Sequence, residues 1–138
     1  MKWAYCECQP GDIVRVKLGS VYHYGIFVSE SEVIAFGLPP TAENLKNQQD
    51  IKVLSTDIDT FSCGGQVEAA QLSLKEKLSR RSPDKTLSLA RERMGEGGYD
   101  LIHNNCEHFV NEVVFNIKRS EQEQAVREKW QAFLQKKS

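Results

Sequence analysis

No apolar run in the sequence approaches the roughly 20 residues that a membrane-spanning helix needs. Its start, Met1 to Cys8, has neither a basic leader nor a sustained apolar stretch. Neither an integral anchor nor a secretory signal is therefore expected. An excess of charge of one sign is missing too: 18 Lys and Arg stand against 19 Asp and Glu, a formal net charge of −1. That balance excludes the basic surplus of a dedicated nucleic-acid binder. Cysteine is at ordinary density, 4 in 138 residues. Without an export signal, Cys6, Cys8 and Cys63 read as free thiols, and Cys106 is treated separately below. The Cys6-x-Cys8 spacing is not that of a zinc knuckle, and no second ligand pair follows it. Asp57 and Asp59 lack further ligands, so the expectation is no metal and no cofactor. With 40% of its residues hydrophobic, the chain suffices for one core and falls short of two ordinary domains. One cytoplasmic domain over residues 1–138 is expected.

The patterns that are present divide the chain. After the turn Pro10-Gly11-Asp12, Val14, Val16 and Leu18 alternate with Arg15 and Lys17, the period of a half-buried strand. Val21 to Val28 is a dense aromatic and β-branched run, a second strand, and Val33 to Phe36 returns as a third in a hairpin. Residues 41–50 read as a loop, with short strands at Ile51 to Leu54 and near Phe61 to Val67. From Val67, Ala69, Ala70, Leu72, Leu74 and Leu78 suit a helix that breaks at Ser82-Pro83. Ser82 caps a second helix with Pro83 at its first position, ended by Gly95. Asn104 or Asn105 caps a third, which begins near Cys106 and carries Phe109, Val110, Val113, Val114 and Ile117 as its apolar stripe. Val126, Trp130, Phe133 and Leu134 share one face of a last amphipathic helix at about 120–136. The fold class expected is α+β, an antiparallel sheet from the N-terminal half packed against helices from the C-terminal half. Charge is unevenly spread: residues 75–93 hold seven basic and three acidic side chains, and residues 118–138 hold six and three. Such segments are solvated helix faces or contacts with an anionic membrane surface.

A thiol in the first turn of a helix feels the positive end of the helix dipole, which lowers its pKa, and the nearby N–H groups can hold an oxyanion. From position alone, a small buried hydrophobe is the plainer reading of Cys106. A catalytic thiol needs a base, and the chain offers His23, His103 and His108. His108 is two residues from Cys106 on the helix, so the side chains diverge. His103 lies in the preceding turn. His23 sits inside a strand, a rigid element in which a buried imidazole must find polar partners, and it is the preferred base.

These residues carry a resemblance. Asn104-Asn105-Cys106-Glu107-His108-Phe109-Val110-Asn111-Glu112, preceded by Tyr99-Asp100-Leu101, resembles the cysteine motif of the lecithin:retinol acyltransferase-like proteins. Pro10-Gly11-Asp12 and His23-Tyr24-Gly25-Ile26-Phe27-Val28 resemble that family's opening strand and histidine motif. The resemblance spans about residues 10–117 and implies a permuted papain-like core. It implies thiol-based acyl transfer or hydrolysis on an ester or amide, commonly a lipid. Cys106 would attack the carbonyl and His23 would relay the proton, with Asn105 and Tyr24 in supporting positions. The partner implied is an acyl-bearing lipid met at a surface. Two departures stand out. The family's second histidine, twelve residues after the first, is replaced by Ala35. A hairpin with an odd-length loop puts His23 and Ala35 on one face, where a backbone carbonyl, a water or Glu32 could take the orienting role. The charged end of the chain also lacks the apolar anchor of membrane-attached members. A catalytically weak binding module and a cysteine peptidase or amidase on the same core are the alternatives. All readings that use the pair require the start of the Cys106 helix to meet the second strand near His23.

Overall fold

The computed structural model describes residues 1–5, 7–41, 43–101 and 104–115. Alternating runs set its frame. Ile13–Leu18 (β2) and Val21–Ser29 (β3) form a tight antiparallel pair with Arg15 opposite Tyr24 and Val16 opposite His23. Glu32–Phe36 (β4) returns along β3, with a register shift between Phe27 and Ser29 that absorbs the short connection. Val53–Thr56 (β5) pairs with β4, placing Leu54 opposite Ala35. On the other side Val67–Gln71 (β6) pairs with β2, and Lys2–Ala4 (β1) adds to β6. The result is one antiparallel sheet of six strands in the order β1-β6-β2-β3-β4-β5.

Among the described residues four α-helices accompany it: Ile58–Ser62 (α1), Leu74–Ser79 (α2), Pro83–Glu92 (α3) and Cys106–Phe115 (α4). Ser82 caps α3 by accepting the Lys85 N–H at 3.2 Å, as its Ser-Pro start predicts. In the last described turn of α4 the Arg81 side chain donates to the carbonyls of Glu112 and Val113, and the Arg81 N–H to that of Val114. The α+β expectation holds, with the sheet from the first half of the chain and the longer helices from the second.

Three segments differ from the sequence reading. Phe61 is not in a strand: Asp57 accepts the Thr60 N–H at 2.7 Å and starts α1, a cap that outweighs the β-rich neighbours. Residues 67–71 are a strand rather than the beginning of a helix, because β1 and β2 offer pairing on both edges. The helix is thereby shortened to α2, whose Leu74 and Leu78 are 74% and 80% exposed rather than core. The strand expected at Ile51 to Leu54 is displaced to Val53–Thr56. The expected helix at 120–136, Ile117, Cys6 and His103 lie outside the described residues. Among those described, no helix is long and apolar enough to cross a membrane.

Each face of the sheet carries its own core. Tyr24, Ile26, Ile34 and Phe36 pack beneath Phe109, Val110, Val113 and Val114 of α4. On the reverse face Val14, Val16, Phe27, Val33 and Ala35 are closed by Phe61 of α1. One feature of the sheet creates the site: β4 pairs with β3 only from Ile26 onward, so the edge of β3 from Val21 to Gly25 is left for α4.

Candidate active site

The start of α4 is built by Asn105. Its Oδ1 accepts the N–H groups of Glu107 and His108 at 3.0 and 3.2 Å, and its own N–H donates to His108 Nδ1 at 3.1 Å. This is a reciprocal capping box with an imidazole in the place usually taken by Glu. Asn105 Nδ2 also donates to the Leu101 carbonyl at 2.8 Å, which anchors the approach to the helix. His108 is fully buried and committed to the cap, so it is not directed at the thiol. Asn105→Ala is expected to cost about 1–2 kcal/mol, read as a lowered urea midpoint with an unchanged slope.

Cys106 is therefore the first residue of α4. It is 5% exposed, its Sγ donates to the Tyr22 carbonyl at 4.0 Å, and it receives the Tyr24 N–H. The thiol thus lies on the open edge of β3, flanking His23 on both sides along the backbone. Burial pushes the thiol up to about 11, and the Glu107 charge adds to that. The N–H groups of Tyr24, Cys106 and Glu107 pull the other way without offsetting it. The lowering expected from the helix dipole is overruled by desolvation.

His23 is 1% exposed and sits on the α1 side of β3, its ring stacked on Phe61 at 4.5 Å between centroids. Nδ1 lies 3.2 Å from the Phe61 carbonyl and Nε2 3.3 Å from that of Gly37. A neutral imidazole has one N–H, so it donates to one carbonyl and presents its lone pair to the other. Among the described residues no hydrogen bond joins His23 to Cys106. Ala35 shares the His23 face, as parity requires, and Phe61 fills the adjoining space: its Cε2 lies 2.8 Å from where a Cβ on Gly25 would stand. Two carbonyls thus hold the imidazole. Glu32 does not, since it pairs with Arg91 at 2.7 Å and accepts from Ser55 at 2.8 Å.

Burial lowers the His23 pKa from 6.5 to about 4, against the two carbonyl contacts. Between those values the unfolded chain binds a proton that the folded chain does not. Stability is thus complete above about pH 6.5 and falls with pH toward 4, by on the order of 3 kcal/mol. Urea unfolding at pH 7 and pH 4 should show that loss in the parent and most of it removed in His23→Gln.

The sequence missed the polar row beside the site. Arg15, expected on a solvated face, is instead layered between the rings of Trp3 and Tyr22, each 4.1 Å from its guanidinium carbon. Its Nε donates to Glu68 at 3.2 Å. The Tyr24 hydroxyl bonds both Arg15 and Glu107, and burial, with the Glu107 charge, raises its pKa. A cavity of about 80 Å³ opens at Cys106 and Asn105, walled by Val21, Tyr22, Pro40, Leu45, Tyr99 and Leu101. It is about half the volume of a protein cavity that takes benzene, so a long acyl chain requires its walls to part. Cys63 and Cys106 are free thiols. No group of three or more His, Cys, Asp or Glu that could hold a metal occurs among the described residues.

A thiol in the first turn of a capped helix thus meets a histidine-bearing strand. The family model described as lecithin retinol acyltransferase matches residues 6–119, and the chain belongs to that family. Among its relatives, human phospholipase A and acyltransferase 3 is 26% identical over 123 residues, covering 84% of this chain and 76% of that protein. Human phospholipase A and acyltransferase 4 is 24% identical over the same length, covering 84% and 75%. Mouse lecithin retinol acyltransferase is 27% identical over 131 residues, covering 81% of this chain and 56% of that protein.

Proposed function

We propose that this protein, a single domain over residues 1–138, is a thiol acyltransferase or lipid hydrolase with Cys106 as nucleophile and His23 as general base. The observation that carries the reading is the seat of Cys106: first residue of a capped helix, on the open edge of β3 beside His23, at the mouth of an apolar cavity. The relatives named phospholipase A and acyltransferase supply the substrate class, an acyl group esterified in a phospholipid. In this mechanism His23 takes the Cys106 proton and the thiolate adds to the ester carbonyl. The Cys106 N–H donates to the oxyanion, and collapse expels the alcohol with the proton from His23. The acyl-thioester on Cys106 then passes to water or to an amine or alcohol.

Both groups rest neutral and buried, so turnover requires the imidazole to leave one carbonyl and the cavity to widen. A lipid surface met peripherally by a cytoplasmic protein suits such opening. Apolar and aromatic walls beside Cys106 favour an acyl chain over a peptide, which needs a polar clamp.

Intact-protein mass spectrometry after mixing with phosphatidylcholine vesicles tests the reading. The parent should gain one acyl mass on Cys106, and His23→Ala should gain it at least about 100-fold more slowly. The second reading, a binding module, draws on Ala35 and on the carbonyls facing both His23 nitrogens. It predicts vesicle binding with neither acyl adduct nor lipid breakdown, a result that sinks the enzyme reading.

A further inference from the structure

Behind the thiol, four polar side chains form one connected line across four elements. Glu68 on β6 stands opposite Arg15 on β2, and Arg15 opposite Tyr24 on β3, so three of them share one row of the sheet. Glu107 closes the row from α4. Each link runs from donor to acceptor: Arg15 donates to Glu68 and to the Tyr24 oxygen, and the Tyr24 hydroxyl donates to the Glu107 carboxylate. Tyr24 and Glu107 are 5% and 4% exposed, so this contact is made away from water, where a hydrogen bond to a charge is strong and its loss costly. The Tyr24 ring is held in turn by Trp3, edge-on at 5.9 Å. Arg15 is fixed by its two aromatic neighbours.

Glu107 is the residue after Cys106, and Tyr24 is the residue after His23. One hydrogen bond therefore ties the element carrying the thiol to the element carrying the imidazole, immediately beside both. We propose that Tyr24 is a positioning residue for Cys106, holding the first turn of α4 to β3 through Glu107 and offsetting the Glu107 charge at the thiol through Arg15. The functional consequence rests on Cys106 being the nucleophile. The geometric claim does not.

The titratable groups around the thiol, among the described residues, are Glu107 on its own helix, Tyr99 on the segment before it, and Tyr22, His23 and Tyr24 on β3. Of these, Glu107 lies in the polar row and adds a negative charge that disfavours the thiolate. Tyr24→Phe removes one hydroxyl and keeps the ring against Trp3. With its partner gone, the Glu107 charge acts on the thiol unrelieved. Glu107→Gln removes the charge and keeps the shape.

The experiment is the pH dependence of Cys106 alkylation by iodoacetamide, resolved from the other cysteines by peptide mass spectrometry, in the parent, both single variants and the double variant. At a fixed pH below the thiol's titration, Glu107→Gln should alkylate about 3–10-fold faster and Tyr24→Phe about 3–10-fold slower, the sizes expected for shifts of up to one pH unit. In the double variant the slowing by Tyr24→Phe should be smaller, because its electrostatic route through the Glu107 charge is gone. An unchanged rate in Tyr24→Phe, or the same slowing in the Glu107→Gln background, overturns the proposal. Should Tyr24→Phe fail to fold, Arg15→Met, which keeps an apolar stem between Trp3 and Tyr22, must slow alkylation in the same Glu107-dependent way or the proposal fails. Alkylation needs no acyl donor, so the two readings fail separately. Coupling without an acyl-enzyme sinks the enzymatic function alone, and an acyl-enzyme without coupling sinks the positioning role alone. In an active parent, Tyr24→Phe should lower kcat with KM unchanged.

Discussion

Cys106→Ser is expected to lower acyl-enzyme formation and lipid turnover by at least about 10³-fold, the loss seen when a nucleophile is removed from an otherwise intact site. Serine fits the first position of α4 without disturbing the Asn105 cap, so the thermal midpoint should stay within about 5 °C of the parent. The chemical loss follows from the setting. Burial leaves even the thiol at about 11, and a hydroxyl, far less acidic, gains nothing there that would ionise it. Fatty-acid release and the intact mass of the protein, read together with circular dichroism, check both halves. Turnover within tenfold of the parent would remove Cys106 from the mechanism.

Phe61→Ala should be the most destabilising of the single substitutions considered, at about 3–5 kcal/mol. Phe61 is fully buried, closes the reverse face of the sheet against Val14, Val16, Val33 and Ala35, and stacks on His23. Its removal opens a cavity beneath the imidazole as well as in the core. Water reaching that cavity returns the His23 pKa from about 4 toward 6.5, so the acid-side loss of stability should shrink in the same variant. Urea unfolding at pH 7 and at pH 4 reads both effects. A cost below about 1 kcal/mol at pH 7 would mean that α1 does not close this face.

Where local pattern and tertiary context agree, the sequence was readable. The alternation in β2, the dense run of β3 and the return of β4 each carried a period that the sheet then used. Ser82-Pro83 and the Asn104-Asn105 pair announced the starts of α3 and α4, because capping side chains bond N–H groups two or three residues away, and the structure selects Asn105 for α4. Lys2–Ala4 is too short to signal a strand by itself and becomes β1 only by pairing with β6. Val67–Gln71 fits both periods, and its partners decided between them. Arg15 was placed on the wrong kind of face for a related reason. β2 is covered on both sides, and the groups that make a charged residue tolerable there, Glu68 and the Trp3 and Tyr22 rings, come from three other strands.

By itself, the sequence determined the family, the cysteine at a helix start, the candidate histidine on a strand, and the shared face of His23 and Ala35, since all of these follow from motif, capping chemistry or the two-residue period. How the His23 ring is held was decided by the tertiary structure, which brings the carbonyls of Gly37 and Phe61 to the ring from 14 and 38 residues away. So was the protonation of the pair. A helix dipole acts locally and favours a thiolate, but the free energy of taking a charge out of water depends on everything packed around it. That packing holds Cys106 as a thiol and His23 as a neutral imidazole.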